Sequence, residues 1–266
     1  MDKDSALFPS IPTSTIRAAR ALYGRGNLYL RLGDRLNHLV SKLDQGMFAA
    51  QLSNNKTALL AVLTIIQYVE NLTDVEMAEA VQLRMELRYA LHLATPSPRF
   101  DPHCLCSFRN RILTDPQCRC LFEEMFEIVY PEITSTAMKE EPNIEDVLNS
   151  ICENVVRASL IDALLHSMEA LSANHFNWLR RIAQPHWYQR YNSSMAVSRS
   201  DLFVRKQELT QEDIQGDIQH LLYEVQESNS PDIMELREIR DLNRIWEQLT
   251  DTKSVKDCNH CINRIH

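Results

Sequence analysis

Apolar residues recur at helical spacing along almost the whole chain, and the densest run sets its centre. From Thr57 to Val69 nearly every position is apolar: Leu59, Leu60, Val62, Leu63, Ile65, Ile66 and Val69. A helix apolar on all sides is buried on several of them, so this run predicts the central helix. Asn71-Leu72-Thr73-Asp74 breaks it. Thr73 has the chemistry of an N-cap, and Glu76 three residues later completes a capping box. The next helix is expected from about Asp74 to Leu83, with Met77, Ala78, Ala80 and Val81 inward. MELRYALHL extends it or starts another helix, ending before Pro96 and Pro98. Asp101 is the expected cap of a third helix, with Pro102 at its first position. Leu105, Phe108 and Ile112 form its core stripe; Asn110 and Arg111 lie outside it, as does Arg109 in part. Helix, sharp turn, helix and a short helix ending Ser-Phe-Arg-Asn-Arg is the order of a helix-turn-helix module whose last helix carries the reading side chains.

The flanks read as helices too. Residues 1–16 are taken as a flexible arm, polar and proline-broken; Thr13 or Ser14 in it caps a short helix, TSTIRAARALYG. GNLYLRLGDRLNHLVSKLDQ places Leu30, Leu32, Leu36, Leu39, Val40 and Leu43 near one face, with Arg31, Asp34 and Arg35 elsewhere. Met47 to Leu52 is expected to pack further and Ser53 to Lys56 to form a polar loop. Asp115-Pro116 starts QCRCLFEEMFEIVY, which stops at Pro131. The expected domain is residues 17–130, followed by a linker at 131–143, a second helical region at 144–250 and a loose tail at 251–266. The second region holds a long amphipathic helix (Ile144 to about Leu171), the aromatic-rich HFNWLRRIAQPHWYQRY, a loop from Asn192 to Ser200, and helices at 211–226 and 231–249. The expected fold class is all-α.

Composition agrees with that class. Five glycines and ten prolines in 266 residues argue against a turn-dense β fold. No apolar run approaches the roughly 20 residues of a membrane span, and the N-terminus lacks a signal peptide's basic and apolar segments. A cytoplasmic protein without a membrane partner is expected. The net charge of −8 opposes nucleic-acid binding at first sight, yet it is uneven. Residues 1–113 carry 13 Lys and Arg against 10 Asp and Glu, net +3; the remaining 15 against 26 give −11. A mildly basic head on an acidic body fits DNA contact by the head.

Candidate chemistry is sparse. Seven cysteines in such a chain are expected as free thiols. Cys104/Cys106 and Cys118/Cys120 have i, i+2 spacing, which points to divergent helix faces and chelates poorly. Cys258-Asn-His-Cys261, with His266, has better spacing for zinc, but it sits in the tail without a partner Cys-x-x-Cys. GRGN at residues 24–27 lacks a phosphate loop's Lys-Ser/Thr. No hydrolase, kinase or dinucleotide signature is present, so no catalytic residue, metal site or cofactor is expected. Arg109 and Arg111, with Arg84, Arg88 and Arg99 nearby in sequence, are the candidates for phosphate or base-edge contact; the competing reading pairs them with Asp101, Asp115 or Glu86.

Several dispersed blocks then carry a resemblance. They are Gly26, Asn27, Tyr29, Arg31, Leu32, Asp34 and Leu36; Gln67, Glu70, Leu72, Thr73 and Asp74; Ala78, Ala80, Val81, Arg84, Tyr89, Ala90, Leu91 and Leu93; and Phe100, Asp101, Phe108, Arg109, Arg111 and Ile112. In this order they resemble the N-terminal domain of bacterial insertion-sequence transposases of the DDE class (the InsH-type domain). The match is good over about residues 18–125 and weaker to about 250. In that family a Thr-Asp-Ser-Thr block opens the catalytic domain and supplies the first metal-binding carboxylate. Here the block is expected at Asn143-Ile144-Glu145-Asp146, with Ile144 where the Asp belongs. The family's other two acidic residues would fall beyond residue 250. Two-metal phosphoryl transfer needs several converging carboxylates.

The resemblance therefore implies a transposase-derived or truncated DNA-binding protein without strand-transfer activity, bound to element ends or a regulatory site. Its partners would be DNA and either a second copy or a full-length transposase. Arg109, Asn110 and Arg111 are expected to face the groove, Arg31, Arg35 and Arg84 to position the backbone, and Arg88 to add a phosphate contact. The alternative of a different class is a helical interaction scaffold or assembly factor without DNA binding; a residual nuclease using Glu145 and Asp146 is a third.

Overall fold

A computed structural model describes residues 7–24, 26–43, 55–96, 99–134, 142–191 and 209–251. Thirteen helices and no strand occur among them, so the fold is all-α. The chain divides into two compact units, Met1–Asn154 and Val155–His266. Arg25, the Met47–Leu52 segment, most of the expected linker, the Asn192–Ser200 loop and the Cys258/Cys261 tail lie outside the described residues.

The first unit is built from α1 (Thr13–Leu22), α2 (Leu28–Val40), α3 (Asn55–Glu70), α4 (Asp74–Leu83), α5 (Met85–Ala90), α6 (His103–Thr114) and α7 (Pro116–Ile133). Short polar side chains cap three of them. Asn27 accepts from the amides of Tyr29 and Leu30 to begin α2. Thr73 and Glu76 form the expected capping box on α4. Asp115 caps α7 through the amides of Gln117 and Cys118, with Pro116 at the first position. Asp101 accepts from the amide of His103, 3.0 Å, although α6 begins one residue later than expected. Pro131 does not end α7, which runs on to Ile133. The N-terminal arm is packed rather than loose from residue 7: Phe8 is buried and its amide and carbonyl both bond the Asn37 side chain.

α3 is the core helix. Ala58, Ala61, Val62, Leu63, Ile65 and Ile66 are fully buried, and each larger side chain among them contributes about 1.5–3 kcal/mol by leaving water. It packs on α7 and α6, where Phe108, Phe122, Phe126, Tyr130 and Tyr68 form a chain of ring contacts; Phe126 and Tyr130 stack at 4.6 Å. α2 lies against α5 so closely that a Cβ on Gly33 would come within 2.8 Å of the Tyr89 carbonyl oxygen. α3 and α4 are bent 105° to one another across Asn71-Leu72-Thr73. Asn71 adopts the left-handed conformation (φ 52°), which Asn tolerates better than most residues, and its carbonyl accepts from the Asn154 side chain at 2.8 Å.

α8 (Ile144–Asn174) runs through the boundary between the units. The second unit continues with α9 (Phe176–Ile182), α10 (Pro185–Tyr191), α11 (Gln211–Glu227), α12 (Pro231–Met234) and α13 (Arg237–Asp251). Leu160, Leu164, Leu171, Ile214, Ile218, Leu221 and Leu242 form its core. One carboxylate ties α10 to α11. Buried Asp217 accepts from Trp187 Nε1 (2.8 Å), the Arg190 guanidinium (2.8 Å) and the Tyr191 hydroxyl (2.6 Å), with His186 Nε2 at 3.0 Å. Burial alone would raise its pKa; the donors, Tyr191 foremost, outweigh that and hold it below the usual carboxylate value. The second, looser residue of the network, Asp213, receives the other arm of Arg190 at 2.8 Å. No single helix among the described residues is long and apolar enough to cross a membrane.

Candidate nucleic-acid interface

The candidate residues come from α2, the α4–α5 junction and α6, and the structure sorts them into inward and outward groups. Arg109 is inward. It is 1 % exposed and bonds Asp74 through two parallel contacts of 2.7 and 2.8 Å. Gln67, fully buried on α3, bridges the pair: its amide donates to Asp74 at 2.7 Å and its oxygen accepts from Arg109 at 3.2 Å. Asp74 is the first residue of α4, where the helix dipole favours a negative charge. One bidentate pair thus clamps α3, α4 and α6 together. Arg109 does not face a groove in this arrangement. Its position on the edge of the α6 core stripe left both outcomes open in the sequence.

Arg84 is also tied down. Its guanidinium grips Glu70 on α3 with both terminal nitrogens and Glu86 through Nε at 2.7 Å. It lies over the Tyr29 ring at 5.5 Å, and the Tyr29 hydroxyl donates to the same Glu70. Burial would lower the Arg84 pKa, but the two carboxylates raise it further above its ordinary value; burial and Glu70 push the Tyr29 phenol up. Arg88 is buried and donates to the carbonyls of Val81 and Gln82, closing the C-terminus of α4 as a basic residue does at a helix end. The competing reading, internal pairing, holds for Arg84 with Glu86, and it holds for Arg109 with an acid the sequence did not single out.

The outward group remains. Arg31 is exposed and Arg35 half of the way so, with Arg35 paired to Glu132 at 2.6 Å. On α2 and in the turn just past it, Arg31, Arg35, His38 and Lys42 stand at i, i+4, i+7 and i+11 and are all exposed, a stripe that helical spacing already contains and whose last two members were missed. On α6, His103, Ser107, Arg111 and Thr114 form an exposed stripe of hydrogen-bonding side chains, with Asn110 half-buried beside it. Arg111 lies near Cys118 at the start of α7, whereas Arg35 meets Glu132 near its end. Fourteen residues of helix separate those ends, roughly 20 Å at about 1.5 Å per residue, so the two stripes are not one patch of touching residues.

The α3–α4 pair has the bend and three-residue turn of a helix-turn-helix, but the chemistry of its second helix is wrong for phosphate. α4 carries Asp74, Glu76 and Glu79 and neither Lys nor Arg. Among the described residues of α4, α5 and α6, the exposed basic side chain is Arg111 on α6.

Asn143, where the resemblance expects the start of the catalytic block, caps α8 by accepting from the amides of Glu145 and Asp146. Glu145 is exposed and meets Arg119 at 3.2 Å. Among the described residues no three His, Cys, Asp or Glu side chains converge as a metal site. Cys104, Cys106, Cys118 and Cys120 are free thiols, and burial pushes Cys106, Cys118 and Cys120 up, away from the thiolate that metals need. Cys152 is buried on α8.

Residues 33–111 match the family model described as "Transposase domain (DUF772)". No curated protein and no solved structure matches the chain. The matched stretch begins at Gly33, where α2 meets Tyr89, and ends at Arg111 on the outward face of α6.

Proposed function

We propose that this chain, transposase-related through residues 33–111, binds double-stranded DNA with its first unit and does not itself carry out strand transfer. The exposed stripe of α6 carries the reading: Arg111, with Asn110, Ser107 and His103, offers donors and acceptors suited to base edges. Arg31 and Arg35 on α2 supply phosphate contacts that set position. Arg84, Arg88 and Arg109 act from inside: Arg109 ties α6 to α4, and Arg84 and Arg88 fix the α4–α5 junction. Ile144 at the helical start of α8 supports the absence of the first metal-binding carboxylate from this chain. A chain that binds element ends without cutting them would repress, or interfere with, a full-length transposase.

Fluorescence anisotropy with the full chain and a duplex pool of randomised core tests this. Binding should weaken steeply with salt. Arg31→Ala should lower the slope of log K against log salt by about 1, and Arg111→Ala should cost about 1–3 kcal/mol on the selected sequence. Salt-independent binding, or full affinity in both variants, would sink the reading.

The −11 charge of residues 114–266 favours one second reading, a helical scaffold that docks partners through its acidic half. It predicts no DNA affinity and a stable oligomer by light scattering.

A further inference from the structure

The segment from Ala170 to Tyr191 holds no acidic residue, although the C-terminal half around it is strongly acidic. It carries Arg180, Arg181 and Arg190 interleaved with Phe176, Trp178, Trp187, Tyr188 and Tyr191. The fold divides these groups. Trp187, Arg190 and Tyr191 turn inward and bond Asp217. On α9, Trp178, Leu179 and Ile182 pack against the core of the second unit. Its opposite side displays Phe176, Asn177, Arg180 and Arg181, all exposed, with Phe176 58 % so.

The spacing matters. Phe176 and Arg180 are i and i+4, as are Asn177 and Arg181, so each pair is adjacent on the helix surface. Neither Arg180 nor Arg181 meets a carboxylate among the described residues. The α9 backbone is held from below: the Ile182 carbonyl lies 3.3 Å from His220 Nε2, and His220 packs edge-on to Trp187. A flat ring and two unpaired guanidinium groups are thus presented on a supported helix. Only one of the four outward side chains is apolar, too few for the desolvated centre of a protein interface. A ligand with a free π face and flanking negative charge satisfies all of them, and unpaired nucleotides have both. Bases stacked within a duplex do not offer that face.

We propose that α9 binds single-stranded DNA, with an unpaired base stacked on Phe176, the flanking phosphates on Arg180 and Arg181, and Asn177 on a base edge. This surface lies in the other unit from α6 and does not depend on the duplex reading given above.

The test is fluorescence anisotropy of the full chain with a labelled 20-nucleotide oligothymidine and, in parallel, with the duplex pool. Phe176→Ala should weaken oligothymidine binding about tenfold, the scale of one lost stacking contact, and leave duplex binding unchanged. Phe176→Tyr should keep the affinity and Phe176→Leu should not. Arg180→Ala with Arg181→Ala should flatten the salt slope on the single strand by about 1.4. Unchanged oligothymidine affinity in Phe176→Ala would overturn the proposal. So would full rescue by Phe176→Leu, which marks an apolar contact, or a change in mass by light scattering, which marks a protein interface. Loss of duplex binding in Arg111→Ala belongs to the first unit, so the failure of either site is read separately. Because Phe176 is exposed, the far-ultraviolet circular dichroism of its variants should match the parent.

Discussion

Each unit buries one aspartate at the meeting point of its helices, and the two are held differently. In the first unit Asp74 is opposed by a single full charge, the fully buried Arg109, with Gln67 locking both. In the second, Asp217 gathers four donors from one short helix, and two of them, His186 and Arg190, keep 38 % and 26 % of their side chains exposed. The first cluster is a sealed pair whose halves neutralise each other. The second is an equally buried carboxylate that shares its charge among several donors, the neutral Trp187 and Tyr191 beside Arg190 and His186. A one-to-one ion pair depends on both members being present, whereas a carboxylate shared among several donors depends on its own ionisation.

The sharpest break in that contrast is Arg109→Ala. It leaves Asp74 charged, buried and unpaired, which costs about 3–5 kcal/mol. Hydrogen exchange read by mass spectrometry should show α3, α4 and α6 losing protection together. Arg111→Ala, two residues away on the exposed face, should change stability by less than about 0.5 kcal/mol. Equal destabilisation by the two variants would remove the division into inward and outward arginines on which the α6 reading stands.

Asp217 is next. Asp217→Asn keeps one acceptor but turns an NH₂ toward donors, and losing hydrogen bonds to a charged group costs about 2–3 kcal/mol. All three tryptophans, Trp178, Trp187 and Trp246, belong to the second unit, so their fluorescence follows this change alone. The pH dependence separates the two clusters further. The folded pKa of Asp217 is depressed, so its stabilisation is complete above the unfolded value of about 3.9 and is lost as pH falls through the folded value. The parent should therefore lose its tryptophan signal more steeply with acid below about pH 4 than Asp217→Asn does. Parallel acid curves for the two proteins would show that Asp217 does not carry this limb.

Much of this was legible in the sequence, and what was not has a physical cause. Helix positions follow from apolar spacing and from caps such as Thr73 and Asp115. The transposase resemblance followed from dispersed blocks between Gly26 and Ile112, among whose polar members are Gln67, Glu70, Asp74, Arg84 and Arg109. Their roles did not, because a one-dimensional pattern marks which residues recur and not which of them meet. Those five fall into two internal clusters, Gln67–Asp74–Arg109 across α3, α4 and α6 and Glu70–Arg84 between α3 and the α4–α5 junction, so part of the pattern that carries the resemblance is internal scaffold. The outward stripes on α2 and α6 were present as spacing, but exposed cations look the same in sequence whether solvated or poised for a ligand. Asp217 was invisible because its donors sit more than 25 residues away.

Gly33→Ala probes the first unit where no charge is involved. The new methyl would stand 2.7 Å from Tyr89 Cδ1 and 2.8 Å from the Tyr89 carbonyl oxygen. The ring can rotate, but the carbonyl belongs to α5 and cannot yield without moving that helix, so overpacking of about 1–3 kcal/mol is expected. Tyr89 also donates to Asp34 at 2.5 Å and accepts from Arg20 at 3.1 Å, so a shift of α5 should also disturb α1. Hydrogen exchange should report faster opening of α1, α2 and α5 while the Asp74–Arg109 cluster and the tryptophan signal stay as in the parent. Loss of protection across α3, α4 and α6 as well would mean that the sealed pair depends on the α2–α5 contact rather than standing on its own.

The smallest effect belongs to the cap that places Asp74. Thr73→Ala removes the acceptor for the Glu76 amide, 3.2 Å away, and should cost about 1 kcal/mol. The Glu76 side chain still receives the Thr73 amide at 2.9 Å, so the start of α4 is only half released. If the sealed pair itself fixes the α3–α4 turn, Thr73→Ala and Arg109→Ala should be nearly additive in denaturant unfolding followed by hydrogen exchange. If the cap is what holds Asp74 in reach of Arg109, the double variant should cost clearly less than the two single costs combined, because the pair would already be weakened when the cap is gone.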